Sequence, residues 1–170
     1  IIAWFSAGIT SAVACKLAIK KYENVEIFYI HIDSAHPDNE RFIRDCEKWY
    51  GQKINRVAND KYGDQFDVIQ RTRYVNGPSG ARCTLELKKK VRQRIEQQYP
   101  DATQVFGFEF TRHEINRAIR FKQQFPHTNP LYPLIEAKLT KDECAGILVG
   151  AEIELPAMYL MGYNNNNCIG

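Results

Sequence analysis

Strand-like and helix-like segments alternate along the whole chain of 170 residues. The segment VEIFYIHI at 25–32 combines β-branched and aromatic residues, which is typical of a buried strand. Further strands are predicted over 1–5, 53–58, 104–110 and 131–135. Because helical patterns separate most of these strands, the sheet should be mainly parallel, with helices on both faces. The pattern therefore predicts an α/β three-layer sandwich with a mainly parallel five-stranded sheet.

The predicted helices carry signals that define their ends. Asp38 precedes an apolar helical face and Gly51 follows it, so we expect Asp38 to cap this helix and Gly51 to end it. Thr140 is the expected cap of the last helix. Apolar residues spaced four apart predict a helix over 85–98. The other helices are predicted near 11–18 and over 65–73, 112–124 and 140–148.

A turn of small residues, FSAGITSAV at 5–13, joins the first strand to the first helix. Small side chains let backbone N–H groups face outward, and a helix N-terminus concentrates unpaired donors with partial positive charge. This combination suits an anion, most often phosphate. Ser6 and Ser11 offer hydroxyl groups, and Gly8 allows close backbone approach to a phosphate. The alternative is an ordinary tight turn between a strand and a helix.

Composition narrows the class of protein. The chain is 44% hydrophobic and 25% charged, as in globular proteins, and it has no apolar stretch of membrane-spanning length, so no membrane partner is expected. Its five scattered cysteines do not resemble a secreted disulfide framework, so a cytoplasmic location is expected. The net charge of +3 is too small to indicate nucleic acid as a partner. Residues 1–170 should form a single domain that lacks a few residues at both ends.

Short segments along the chain resemble, in order, the motifs of one family. The loop SAGITS at 6–11 resembles the pyrophosphate-binding loop SGGxDS, with Ala7 in place of a Gly and Thr10 in place of the Asp. DS at 33–34 with HPDNE at 36–40 resembles VDTGxxFPET. RCT at 82–84, followed by Lys88, resembles CCxxxK.

The second half of the chain continues the series. Gly107, Glu114 and Arg117 resemble GxRxxExxxR, with Glu109 in place of the first Arg. PLI at 133–135 with TKD at 140–142 resembles PLxxWTxxDV, and the last nine residues resemble GYxRxGCxxC. The chain therefore resembles the phosphoadenosine phosphosulfate (PAPS) reductase family of the PP-loop ATP pyrophosphatases.

This resemblance implies an adenine nucleotide α-hydrolase-like (PP-loop) fold that binds PAPS or ATP. The phosphates would lie on the loop, which consists of Ser6, Ala7, Gly8, Ile9, Thr10 and Ser11. Gly107 and Arg117 would contact the nucleotide, although Arg117 is also placed to pair with Glu114 on its own helix. Asp33 could accept a hydrogen bond from ribose or adenine, or cap the next turn. Magnesium is expected with the phosphates.

Two residues are the candidates for chemistry. Lys88 lies one turn after Cys83 in the family's position and would supply a mobile positive charge for phosphate or sulfate, whereas most helical lysine runs are simply solvated faces. Cys168 could act as a nucleophile on sulfur when its pKa is lowered, although the ECGIH motif of PAPS reductases is absent. Cys83 and Cys168 could instead hold a 4Fe–4S cluster or Zn²⁺, or be unrelated thiols.

The resemblance leaves several functions open. One is sulfonucleotide reduction with a thiol reductant, and another is attack on the α-phosphate of ATP, with adenylyl or sulfur transfer to an acceptor from a sulfur donor. A third is a catalytically inactive nucleotide-binding module of a nucleic-acid-modifying complex, as loss of the loop Asp would allow. A cluster-bearing electron carrier is the fourth.

Overall fold

The computed structural model describes residues 1–78 and 80–166. Its strands are β1 (Ile2–Phe5), β2 (Glu26–Ile30), β3 (Asn55–Val57) and β4 (Gln104–Val105). Its α-helices are α1 (Ile9–Lys21), α2 (Asn39–Tyr50), α3 (Gln65–Thr72), α4 (Lys90–Gln98), α5 (Arg112–Gln124), α6 (Pro133–Glu136), α7 (Lys141–Gly150) and α8 (Ala157–Leu160). A π-helical segment, Thr84–Lys89, leads directly into α4, and a 3₁₀ turn, Pro126–Thr128, follows α5.

The described strands form one parallel sheet in the order β3-β2-β1-β4. Alternate residues of the central strand β1 face opposite layers. Ala3 packs with the core that includes α1, α2 and α7, whereas Ile2 packs with Phe28 of β2 and Ile95 of α4 on the other face. The predicted α/β architecture of three layers around a parallel sheet is therefore confirmed.

The prediction of a fifth strand over 131–135 is wrong, because the sheet formed by the described residues has four strands. Leu131 makes only an isolated parallel bridge to Val105, through hydrogen bonds with the backbone of Gln104 and Phe106. Pro133 then begins α6. Proline has no N–H to donate to a sheet and its fixed φ suits the first turn of a helix, so the pairing cannot extend past this point.

The helix ends confirm two of the three predicted signals. Gly51 ends α2 in the left-handed conformation, and Thr140 caps α7 in a reciprocal capping box with Glu143. Asp38, in contrast, does not cap α2, since its own backbone is helical and its side chain makes no cap hydrogen bond. Its carboxylate instead pairs with Arg41 and accepts the Ala157 amide at 2.8 Å. A local signal was thus overridden by a long-range contact.

The helix predicted over 85–98 begins earlier and differently than expected. Residues Thr84–Lys89 form a π-helix, whose hydrogen bonds span one residue more than those of an α-helix, and α4 follows without a break. Sequence periodicity cannot distinguish this segment from an α-helix, because the change concerns only the hydrogen-bond register. Insertions of this kind are frequent at functional sites.

Three cysteines belong to the core. Cys15, Cys46 and Cys144 are all buried beside apolar side chains, as expected for small core residues. Burial raises the pKa of Cys46 and of Cys144 to about 12 and that of Cys15 further, so these thiols stay protonated and unreactive. Among residues 1–78 and 80–166, no helix has both the length and the apolar character needed to cross a bilayer.

Candidate functional site

The loop between β1 and α1 is held by its own side chains. Ser11 is buried, and its hydroxyl accepts hydrogen bonds from the backbone amide and the hydroxyl of Ser6, both at 3.0 Å. The Ser11 hydroxyl then donates to the Gly8 carbonyl at 2.9 Å. The sequence predicts Ser11 as a hydroxyl offered to phosphate, and the structure places this hydroxyl inside the loop, where it fixes the loop's shape.

Ala7 adopts an unusual backbone conformation at the centre of this loop. Its φ of +57° lies in the left-handed region, which costs a residue with a Cβ about 1–2 kcal/mol relative to glycine. The loop thus keeps a conformation that favours glycine although the sequence has alanine at this position. The surrounding hydrogen bonds of Ser6 and Ser11 offset the strain and hold the amides in place.

The start of α1 presents backbone donors. Within the described part of the chain, the amides of Ala7, Gly8, Thr10 and Ser11 have no hydrogen-bond acceptor, whereas the Ile9 amide donates to the Tyr159 hydroxyl at 3.4 Å. Unpaired donors at the beginning of a 13-residue helix carry partial positive charge. The loop therefore retains the electrostatic character that suits a phosphate.

Gly107 explains how β4 approaches this loop so closely. A Cβ at residue 107 would lie only 2.7 Å from the Ser11 Cα and 2.8 Å from the Ser11 nitrogen. Both are backbone atoms that cannot move without displacing α1. Gly107 is thus required by the contact between the end of β4 and the start of α1, a role that the sequence alone does not reveal.

A cavity of about 350 Å³ opens beside the loop, where β1, β2 and β4 end. Its lining combines the loop residue Ser6 with aromatic and basic side chains. The aromatic members are Trp4, Phe5, Tyr29 and Phe106, and the basic ones are Lys88, Lys89, Arg92 and Arg117. No described carboxylate lines this cavity. The arrangement suits a flat ring joined to a group with several negative charges.

The lysine run divides into residues with different roles. Lys88 and Lys89 line the cavity, and neither has an ion-pair partner among the described residues. Lys90 points elsewhere and pairs at 2.7 Å with the buried Glu86, which Arg82 also contacts. Lys88 and Lys89 are the last two residues of the π-helical segment, so the lysines that line the cavity belong to it and Lys90 does not.

The two cavity arginines are held by aromatic rings and carboxylates. Arg117 lies 4.3 Å from the centre of the Phe108 ring and 3.1 Å from a Glu114 oxygen, so it both pairs with Glu114 and lines the cavity. Arg92 pairs with Glu96 at 3.0 Å and lies 5.3 Å from the Phe121 ring. Stacking and ion pairing fix these guanidinium groups before any ligand binds.

The C-terminal part of the described chain contacts the loop between β1 and α1. The sequence did not predict these contacts. Besides Tyr159, Asn166 reaches the loop and donates to the Ala7 carbonyl at 2.6 Å. Burial raises the pKa of the Tyr159 hydroxyl, although the hydrogen bond from the Ile9 amide opposes this shift, so the group stays protonated near neutrality. Asp38 anchors the segment by accepting the Ala157 amide. A uniform run of asparagines gave no signal for these contacts.

Asp33 and Cys83 are not among the described residues that line the cavity. The Asp33 side chain is 67% exposed and lies 3.3 Å from His31 Nε2. Cys83 is half-buried and packs against Ile32, Val68 and Leu87. Cys168 lies outside the described residues, and among those described no group of His, Cys, Asp and Glu side chains could hold a metal ion. The described residues therefore form neither a zinc nor an iron–sulfur site.

Comparison with known proteins identifies the family of the chain. The sequence profile of the phosphoadenosine phosphosulfate reductase domain matches residues 1–165. The chain belongs to the PAPS reductase family. This family is part of the PP-loop superfamily.

A solved structure shares the fold. The crystal structure of phosphoadenylyl-sulfate (PAPS) reductase from Candida auris, in a phosphate complex, matches with a TM-score of 0.67 at 12% identity, over 99% of this chain and 79% of that one. No curated protein sequence matches the chain.

One departure of this chain from the family's motifs has a structural explanation. Glu109 stands where the motif has arginine, and its carboxylate accepts the Lys141 amide at 2.8 Å at the start of α7. A negative charge at a helix N-terminus is stabilising, so Glu109 holds the start of α7. This PAPS reductase family member thus uses the position to fix a neighbouring helix, and Arg117 and Arg92 supply the arginines of the cavity.

Proposed function

We propose that the protein is a PAPS-reductase-like enzyme that binds a sulfonucleotide, with phosphate groups on the loop 6–11 and the adenine in the adjoining cavity. The observation that carries the proposal is the cavity lining, which has four basic side chains and no described carboxylate. Carboxylates are the protein ligands that usually hold Mg²⁺ beside a nucleotide's phosphates. Basic groups in their place favour a substrate whose charge the protein neutralises directly, such as PAPS.

In the proposed reaction, the Cys168 thiolate attacks the sulfur of the sulfo group. The bond from sulfur to the bridging phosphate oxygen breaks, and adenosine 3′,5′-bisphosphate leaves with the electron pair. A dithiol reductant then attacks the Cys168 sulfur and releases sulfite, and its second thiol restores the cysteine as the reductant becomes a disulfide. Lys88 and Arg117 would stabilise the charge that develops on the leaving phosphate.

Lys88 suits this role because no described side chain competes for its ammonium group. A positive charge that is already placed near the reacting phosphate needs little reorganisation as the leaving group gains charge. Cys168 suits its role by chemistry, since the three core cysteines are buried thiols with raised pKa. Cys83 is half-buried in an apolar cluster and serves as the natural control.

The test incubates the protein with PAPS and a dithiol, and separately with ATP and Mg²⁺. We expect sulfite and adenosine 3′,5′-bisphosphate from PAPS, loss of sulfite in Cys168→Ser, and retention of most activity in Cys83→Ser. Pyrophosphate from ATP without sulfite from PAPS would instead show adenylyl transfer. Tight nucleotide binding without either product would identify an inactive binding module. Either result would overturn the proposed reduction.

A further inference from the structure

Asn166 is a buried polar residue in the cavity wall whose amide orientation is fixed. It is 6% exposed, and its Nδ2 donates to the Ala7 carbonyl at 2.6 Å and to Asn39 Oδ1 at 2.8 Å. Asn39 Nδ2 in turn donates to the Tyr29 hydroxyl at 3.2 Å. Because Ala7 can only accept at its carbonyl, turning the Asn166 amide around would bring two acceptors together.

This fixed orientation leaves the Asn166 Oδ1 without a partner. It is the one buried side-chain nitrogen or oxygen, among residues 1–78 and 80–166, that lacks a hydrogen bond. Buried polar groups in folded proteins are nearly always paired, so an unpaired one in the wall of a binding cavity indicates that a ligand completes it. Oδ1 is shielded from bulk water, and Asn166 itself lines the cavity beside the loop.

We propose that Asn166 Oδ1 accepts a hydrogen bond from the ribose 2′-hydroxyl of the nucleotide, an inference that rests on the proposed function. An amide oxygen can only accept, so its partner on an adenine nucleotide must be a donor, either a ribose hydroxyl or the amine of the base, and cannot be an ionised phosphate. Asn166 bonds directly to Ala7, within the loop assigned to the phosphates. The sugar is the part of a nucleotide next to its phosphates, and in PAPS the 3′-hydroxyl is esterified, which leaves the 2′-hydroxyl.

The test measures dissociation constants by calorimetry for adenosine 3′,5′-bisphosphate and for its 2′-deoxy form. Wild-type protein should bind the 2′-deoxy form about three- to tenfold more weakly, the value of one neutral hydrogen bond. In Asn166→Ala this ratio should fall to about one. A purely structural role for Asn166 would weaken both ligands equally and leave the ratio unchanged, which would refute the inference.

Two controls complete the experiment. Asn165→Ala removes an exposed neighbouring asparagine and should leave the ratio of the two dissociation constants at its wild-type value. The inosine analogue of the ligand lacks the exocyclic amine. If Asn166→Ala abolishes discrimination against inosine and keeps discrimination against the 2′-deoxy form, the base is the partner and the ribose assignment is wrong. If wild-type protein binds neither bisphosphate, the proposed function fails, whereas tight binding with an unaltered ratio refutes only the role of Asn166.

Discussion

Replacing Lys88 with alanine probes the charge of the cavity without disturbing the fold. Lys88 lines the cavity and has no ion-pair partner among the described residues, so its removal leaves no described carboxylate unpaired. A charge-assisted hydrogen bond contributes about 1.5–3 kcal/mol. Its loss should therefore raise the dissociation constant of the ligand by roughly 10- to 150-fold. Three other basic side chains remain at the cavity, so binding should be weakened and not abolished.

Two lysine variants separate a cavity effect from a general charge effect. Lys122→Ala removes the same charge from an exposed position on α5 and should leave the affinity unchanged. Lys90→Ala removes a partner of the buried Glu86, so it should lower the free energy of unfolding by about 1 kcal/mol while affecting affinity little. Lys88→Ala should instead weaken ligand binding and leave the free energy of unfolding unchanged or slightly higher. Removing one positive charge from the basic cluster relieves repulsion, so it does not destabilise the free protein.

Calorimetric titration with adenosine 3′,5′-bisphosphate measures the affinities, and thermal denaturation in the absence of ligand measures the stabilities. The wild-type affinity should fall as salt is raised, and the dependence should be weaker in Lys88→Ala. An affinity change in Lys88→Ala no larger than that in Lys122→Ala would show that Lys88 belongs to a solvated helix face. The assignment of the cavity as the anion site would then be wrong.

Three further variants test how the site is held. Gly107→Ala places a Cβ 2.7 Å from the Ser11 Cα, so we expect a lower melting temperature and weaker nucleotide binding together, measured on one preparation; unaltered values would contradict the close contact. Glu109→Gln removes the negative charge at the start of α7 and should lower the free energy of unfolding in urea by about 0.5–1 kcal/mol with nucleotide affinity unchanged. The hydrogen bond from Arg41 lowers the pKa of Asp38 in the folded protein. The ionised carboxylate therefore stabilises the fold at pH values above the pKa that Asp38 has in the unfolded chain, and this stabilisation is lost as the pH falls through the folded-state pKa. The melting temperature of Asp38→Asn should therefore fall less than that of wild type between about pH 5 and pH 3, and parallel curves would contradict this.

The strand and helix pattern was predictable because it depends on local periodicity. Residues 25–32 contain β2, and the ends of α2 and α7 at Gly51 and Thr140 follow from backbone conformation and capping within a few residues. The prediction of a fifth strand was wrong because Leu131 makes a single bridge to the sheet and is soon followed by a proline that begins a helix. The prediction that Asp38 caps α2 was wrong because its side chain pairs with Arg41 and with the distant Ala157.

The sequence by itself determined the class of fold and the position of the loop, since these depend on patterns of neighbouring residues. It also selected Lys88 as a candidate residue, because Lys88 follows Cys83 at the spacing of a family motif. The tertiary structure alone decided which side chains meet. It brought Asn166 and Tyr159 to the loop from more than a hundred residues away and placed Gly107 against Ser11. Such contacts arise when the chain packs in three dimensions, and they leave no local periodicity. Nothing in the run of four identical asparagines indicates that Asn166 reaches the loop.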